Sequence, residues 1–329
     1  MLLTSVIGTR PNYVKVRVLD AAAKTLGHLH RIIDTGQHYD RAMIGGFPRP
    51  DVILRKNWTL PHLRGELGGN AVIVYGDTDS TVYGATAASL EGIPVVHVEA
   101  GCRSRDPSMP EERNRIFTDK VASLRLAPTK ACSENLWKEG LSSVITGDVM
   151  LDAYTSLESI VDDREIAAIL AHRGLERGGY CLVTLHRQSN VENVPRLAAC
   201  ILGISDIPLP VYWMAHHRTM RGMREMGFKR KVFCEAATYE QMHVLIRGAY
   251  CVVTDSGGVT RECYFAGVPC YTLRDRTEWP ETLEGGWNRL TEPEDLAIAV
   301  RSRPTGPRSD AFGDGKAGLA CIEAIERWV

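Results

Sequence analysis

Three carboxylates stand where acid–base chemistry could use them: Asp77, Glu99 and Glu111. Asp77 follows the apolar run Ala71–Tyr75 and Gly76, Glu99 follows residues 94–98, and Glu111 opens a helical stretch behind Pro110. Carboxyl groups in unlike surroundings can divide the work of base and acid, or stabilise a developing cation. A second constellation suits an anion. Asp255-Ser-Gly-Gly-Val-Thr-Arg-Glu262 lies between the apolar run 249–254 and the short helical run 262–266. Ser256, Gly257 and Gly258 fall where a strand becomes a helix N-terminus, whose open N–H groups and dipole favour phosphate. Glycine also lets the backbone come close to the anion. Glu262, about one turn on, is placed to accept hydrogen bonds from sugar hydroxyls. His186 ends the run 180–185, Arg10 and Lys15 follow the first strand, and Gln37 and Arg274 end two others.

Each of these has a plainer account. Asp77 could accept N–H bonds at a helix start, and an acidic residue in a first turn is favoured by the dipole alone, which covers Glu111. A Ser-Gly-Gly turn is common. Lys15 reads as a solvated helix lysine and His186 as a core histidine. Glu99 is harder to dismiss, because a carboxylate ending an apolar strand needs a partner.

The elements that must position these groups alternate strand and helix from the start. Leu2–Ile7 is a strand, 14–24 a helix, 30–34 a strand, Ala71–Tyr75 a buried strand and 82–91 a helix; strands at 94–98 and 124–128 follow. Residues 41–70 read as irregular, punctuated by Gly45-Gly46, Pro48, Pro50 and Pro61, with a short edge strand at 51–54 and no helix. The charged stretch 162–179, with its Gly178-Gly179 break, marks a hinge near residue 160. A second alternation follows, with strands at 180–185, 211–214, 232–234, 249–254 and 269–273 and a last helix at 318–329. Such alternation argues for α/β architecture with parallel, doubly wound sheets. Every strong candidate lies just after a strand, where open α/β sheets bind ligands. Two such domains facing a central cleft would gather all of them.

Composition sets the bounds. A chain of 329 residues suits two domains. A net charge of −1 gives no basic excess for a nucleic-acid backbone. The nine cysteines form no CxxC pair and mostly lie in apolar runs, so reduced buried thiols in a cytoplasmic protein are expected. The first residues enter a strand directly, without the charged region of a signal peptide. No apolar run has the length of a membrane span. His216-His217 has no third ligand at a metal-binding spacing, and residues 218–231 read as a solvated face.

Taken together, the motifs resemble those of the non-hydrolysing UDP-N-acetylglucosamine 2-epimerases of the GT-B superfamily. The matching stretches run from end to end: Gly8-Thr-Arg-Pro11 with Lys15, Thr35-Gly-Gln-His38, Gly76-Asp-Thr78, His97-Val-Glu-Ala-Gly101 with Arg103, and Pro110-Glu-Glu112 with Asn114-Arg115. Then come Thr146-Gly147, His186-Arg187 with Asn190, Asp255-Ser-Gly-Gly-Val259 with Glu262, Arg274-Asp275, and Thr277-Glu-Trp-Pro-Glu281. The resemblance implies an N-terminal Rossmann-like domain over 1–160 carrying the sugar-side carboxylates and a UDP-binding domain over 161–309. A C-terminal helix, 310–329, would cross back to the first domain. It further implies a homodimer, a UDP-sugar as small-molecule partner, and neither metal nor cofactor.

The implied reaction is reversible C2 epimerisation, by elimination of UDP to a 2-acetamidoglucal and re-addition. Asp77, Glu99, Glu111 and His186 match the catalytic positions. Arg10, Lys15, Arg103, Arg115, Ser256, Gly257, Gly258, Glu262 and Arg274 match UDP-sugar-binding ones, and Gln37 and His38 match a second, allosteric site. Base and acid stay unassigned among the carboxylates. The shortened segment 39–71, with Asp40 where allosteric members often carry glutamine, puts that second site in question. Trp279 replaces an arginine of the main bacterial branch. Four alternatives stay open: a hydrolysing epimerase releasing ManNAc and UDP, a 2-epimerase of a modified UDP-sugar, a GT-B glycosyltransferase, and a non-catalytic nucleotide-sugar sensor.

Overall fold

The computed structural model describes residues 1–37, 47–54, 57–215, 217–225 and 237–329. His38, Asp40, His216 and the strand expected at 232–234 lie outside the described residues. The chain divides into two compact units, Met1–Thr155 with Asp310–Val329, and Ser156–Ser309.

In the first unit the order is β1 (Leu2–Ile7), α1 (Arg10–Thr25), β2 (Leu29–Asp34), β3 (Val52–Ile53), α2 (Leu60–Glu66), β4 (Ala71–Tyr75) and α3 (Asp79–Leu90). β5 (Val95–Val98), α4 (Pro110–Val121), β6 (Leu124–Ala127), α5 (Lys130–Lys138), β7 (Val144–Ile145) and α6 (Val149–Glu158) follow. The sheet has the strand order β3-β2-β1-β4-β5-β6-β7, every pairing parallel. Parallel strands covered on both faces are apolar throughout rather than alternating, and β4 accordingly buries all five of its residues. The order reverses between β1 and β4, whose carboxyl ends lead to Arg10 and Asp77.

In the second unit α7 (Asp163–His172), β8 (Cys181–Thr184), α8 (Gln188–Val191), α9 (Val194–Ser205), β9 (Val211–Trp213) and α10 (His217–Glu225) come first. α11 (Tyr239–Gly248), β10 (Cys251–Thr254), α12 (Gly257–Ala266), β11 (Cys270–Thr272), β12 (Asn288–Leu290) and α13 (Leu296–Ala299) complete it. The described strands order as β12-β11-β10-β8-β9, again all parallel. Here the switch lies between β8 and β10, whose ends lead to His186 and Asp255. α14 (Ala317–Trp328) returns to the first unit: Asp152 accepts the N–H groups of Ala317 and Gly318 at 3.0 and 2.8 Å, and Glu326 pairs with His28.

One expectation needs correction, and one charged stretch gains an element. The segment before β4 does contain a helix, α2. Pro61 does not break it, because proline suits a first helical turn, and Thr59 and His62 cap it reciprocally. The charged stretch after residue 160 is α7, capped by Asp162, whose carboxylate accepts from the N–H groups of Arg164 and Glu165. Its Ile166 and Leu170, one turn apart, are buried in the core of the second unit.

Candidate active site

The first unit gathers its charged groups beside the switch point. α1 starts at Arg10 because Thr9 caps it and Pro11 fits the first turn. One turn further, Lys15 is buried and its Nζ lies 2.6 Å from Glu99 Oε2. A solvated lysine is thereby excluded. Glu99 follows β5 in the left-handed region, at φ 67°. A non-glycine residue held there costs about 1–3 kcal/mol and points to a functional constraint. Gly76, also left-handed at φ 63°, sits against this pair: a Cβ there would stand 3.0 Å from the Lys15 amine. A larger residue here would be strained by the left-handed backbone and would press on the Lys15 amine, and Asp77 follows directly.

Asp77 is half-buried and ion-paired to Arg115 of α4, while its carbonyl accepts from Asn114 at 2.9 Å. Arg115 also donates to the buried Glu112, 3.0 Å away. Glu112 in turn accepts the N–H groups of Ser104 and Arg105, each at 2.9 Å, and so clasps the loop after Gly101. Arg105, like Glu99, is a non-glycine residue at positive φ. Glu111, in contrast, is exposed at the start of α4. The three expected carboxylates thus lie in one unit in three different settings: Glu99 against a lysine, Asp77 against an arginine, Glu111 facing water.

Arg103 and Arg115, read as binding residues, are both engaged within the protein. Arg103 donates to Glu139 at 2.8 Å and pairs with Asp119 at 2.7 Å. Asp119 is fully buried. Burial pushes its carboxyl up, yet contact with His97 and Arg103 outweighs this and holds it below the usual carboxylate range. Gln37 accepts from the Ser80 hydroxyl at 2.8 Å, at the start of α3.

In the second unit Asp255 organises the turn. Its carboxylate, with no exposed surface, takes the N–H groups of His186 and Arg187 at 3.1 and 3.0 Å and the Asn190 amide at 3.1 Å. It also lies 3.0 Å from His186 Nδ1. Burial raises this carboxyl's affinity for a proton, but the His186 contact and the Arg187 and Asn190 donors prevail, and it too stays below the usual range. His186 itself is 47% exposed, so its Nε2 side is turned outward. A core histidine is ruled out. Ser256 caps α12, accepting from Val259 N–H. The N–H groups of Gly257 and Gly258 have no acceptor among the described residues. They are the open donors expected of an anion cradle. Glu262 is buried one turn further along α12. Arg274 forms a two-bond pair with Glu278, at 2.7 and 2.9 Å. A Cβ on Gly257 would come within 3.6 Å of that same Glu278, so the Arg274–Glu278 pair walls the cradle. Trp279 adjoins it, with the Arg261 guanidinium stacked 3.8 Å over its ring.

Four organising residues were given no role in the sequence: Glu112, Asp119, Asp255 and Glu278. A fully buried acid needs fixed donors, and Asp255 ends an apolar strand just as Glu99 does. That signal could have singled it out. Asp119 carries no such mark, since its partners His97 and Arg103 lie at other places along the chain, whereas Glu278 stands four residues from Arg274.

The geometry has close relatives. A family model described as UDP-N-acetylglucosamine 2-epimerase matches residues 59–326. The UDP-N-acetylglucosamine 2-epimerase of Methanocaldococcus jannaschii is 34% identical, over 99% of this chain and 99% of that protein. The UDP-2,3-diacetamido-2,3-dideoxy-D-glucuronate 2-epimerase of Pseudomonas aeruginosa is also 34% identical, over 99% and 100%. The crystal structure of the M. jannaschii enzyme in complex with UDP-GlcNAc and UDP superposes with a TM-score of 0.90 at 31% identity, covering 99% of this chain and all of that one. This chain belongs to the UDP-N-acetylglucosamine 2-epimerase family.

Proposed function

We propose that the protein interconverts UDP-N-acetylglucosamine and its C2 epimer, UDP-N-acetylmannosamine. The observation that carries this is Glu99: a carboxylate in a strained backbone conformation, fixed by a buried lysine beside Asp77 at a sheet switch point. In the first half-reaction one carboxylate takes the C2 proton as the C1–O bond to UDP breaks, forming the C1=C2 bond of a 2-acetamidoglucal. In the second, a proton is returned to the opposite face of C2 and a β-phosphate oxygen of UDP rebuilds the bond at C1. Electrons and atoms balance without a redox partner. The C2 proton is only weakly acidic, so C1–O cleavage runs ahead and builds positive charge on the ring. Asp77, Glu99 and Glu111 stabilise that charge and move the proton, with Lys15 orienting Glu99. The N–H groups of Gly257 and Gly258 take the diphosphate, outward-facing His186 offsets the charge of the leaving group, and Glu262 takes the ribose hydroxyls.

The equal identity to an epimerase of a diacetamido-glucuronate favours a second reading, in which the sugar is a modified UDP-hexosamine and the chemistry is unchanged. Incubation in deuterium oxide, followed by NMR, tests both. UDP-GlcNAc should give UDP-ManNAc with deuterium at C2. Free ManNAc would replace epimerisation by hydrolysis. Turnover only of UDP-2,3-diacetamido-2,3-dideoxy-glucuronate would establish the second reading, and binding without turnover of either would make the protein a sensor.

A further inference from the structure

We propose that His97 and Asp119 form a positioning device that ties the turn carrying Asp77 to the turn carrying Glu99. The role rests on the epimerase function proposed above. His97 sits in β5 and Asp119 in α4, both with 0% exposure. His97 Nδ1 lies 2.7 Å from Asp119 Oδ1, and its Nε2 lies 2.8 Å from the carbonyl oxygen of Gly76. The other carboxylate oxygen of Asp119 accepts from Gly101 N–H at 3.1 Å. One buried pair therefore grips the peptide just before Asp77 and the turn just after Glu99. Both grips fall on left-handed backbone, Gly76 at φ 63° and Gly101 at φ 80°. Neither contact reaches a reacting atom, so these are positioning residues.

The hydrogen-bond inventory also fixes what the ring must be. A carbonyl oxygen only accepts, so Nε2 carries a proton. Asp119 already accepts from Gly101 N–H and pairs with Arg103, 2.7 Å away, as a carboxylate does. It can only accept from Nδ1 as well, so both ring nitrogens donate. Arg103 continues the chain to Glu139 at 2.8 Å. Two positive and two negative groups alternate, Glu139–Arg103–Asp119–His97, and their charges cancel. A buried ion pair of this kind adds little stability for its desolvation and is better understood as specifying one geometry. Here the geometry specified is the relative placement of two carboxylates that must act on neighbouring carbon atoms.

Two substitutions separate the two ends of the ring. His97→Asn keeps a donor near the Nδ1 position and cuts the link to Gly76. His97→Gln keeps a donor near Nε2 and cuts the link to Asp119. Misplacement by about 1 Å can lower a rate on the order of a hundredfold. Either cut separates the two turns, so we expect both variants to lose kcat by about that factor with KM within about threefold. Wild-type kcat in either variant would overturn the role. Nitrogen-15 NMR of the wild-type protein gives an answer even where a variant fails to fold: the His97 ring should show two bound protons, and one proton would overturn the arrangement. If the wild type turns over no UDP-hexosamine, the proposed function fails, while the NMR result still decides the geometry.

Discussion

Each unit buries an aspartate and sets a histidine against it, yet the two pairs face opposite ways. In the first unit Asp119 holds His97 wholly inside, with the far nitrogen spent on the Gly76 carbonyl. In the second, Asp255 holds His186 with nearly half its surface exposed. One pair shapes the backbone around Gly76, while the other leaves its ring partly exposed. The groups around them invert as well. The first unit offers carboxylates anchored by cations, Glu99 by Lys15 and Asp77 by Arg115. The second offers N–H donors and an imidazole anchored by an anion. Two sheets of the same parallel design thus carry opposite charge chemistry: one suited to a cationic carbon centre, the other to a diphosphate.

The largest test of this division is Glu99→Gln. Gln keeps the volume and removes the charge, so proton transfer and cation stabilisation are lost together. Turnover should fall about 10²–10⁴-fold, the usual worth of a positioned acid–base group, while the affinity for UDP measured by calorimetry stays at the wild-type value. Near-normal turnover would remove Glu99 from the chemistry, and a matching loss of UDP affinity would end the division of labour.

How much of this was legible in the sequence differs between the fold and the site. Strands such as Ala71–Tyr75, apolar at every position, and the Gly-Asp and Ser-Gly-Gly turns behind them carry local signals, so the α/β alternation and the strand ends could be read. α2 and α7 were missed because proline and charge mimic loop signals when capping is overlooked. Within the site, residue types were legible and pairings were not. Arg103, Arg115 and Arg274 look like ligand-binding cations from their sequence positions, and only the fold shows each against a protein carboxylate. Arg103 meets Glu139, 36 residues away, and Arg115 meets Asp77, 38 residues away. A local sequence pattern holds no record of such a distance. The left-handed conformation of Glu99 was equally hidden, since nothing in the residue itself favours it.

A smaller effect should come from the second unit. Glu262→Ala removes a buried carboxylate one turn beyond the cradle, and with it the charged hydrogen bonds proposed for the ribose. UDP affinity should weaken by about 1–3 kcal/mol, the range for losing a hydrogen bond to a charged group. The rate at saturation should change far less than KM, the opposite of Glu99→Gln. If both variants lowered kcat alike, nucleotide binding and carbon chemistry could not be assigned to separate units.

The smallest effect bears on the aspartates themselves. Asp255 is held below the usual carboxylate range by His186, Arg187 and Asn190 against the push of burial. An unfolded aspartate titrates at about 3.9. Below that pH the unfolded chain binds a proton that the folded unit refuses, so stability falls as pH falls. The contribution is therefore present above the unfolded value and lost on passing down through the folded one. Asp255→Asn should flatten that acid slope by at most about 1.4 kcal/mol per pH unit, one proton's worth. Tryptophans occur in both units, so fluorescence would mix them. Hydrogen exchange at Val252 and Val253 of β10, read beside Val72 and Val74 of β4, keeps them apart. The flattening should appear in β10 alone. Asp119 is held down in the same direction, so Asp119→Asn should flatten β4 alone. A change in both strands from either variant would mean that the two units unfold together, and the two aspartate–histidine pairs would then have to be treated as parts of one cooperative structure.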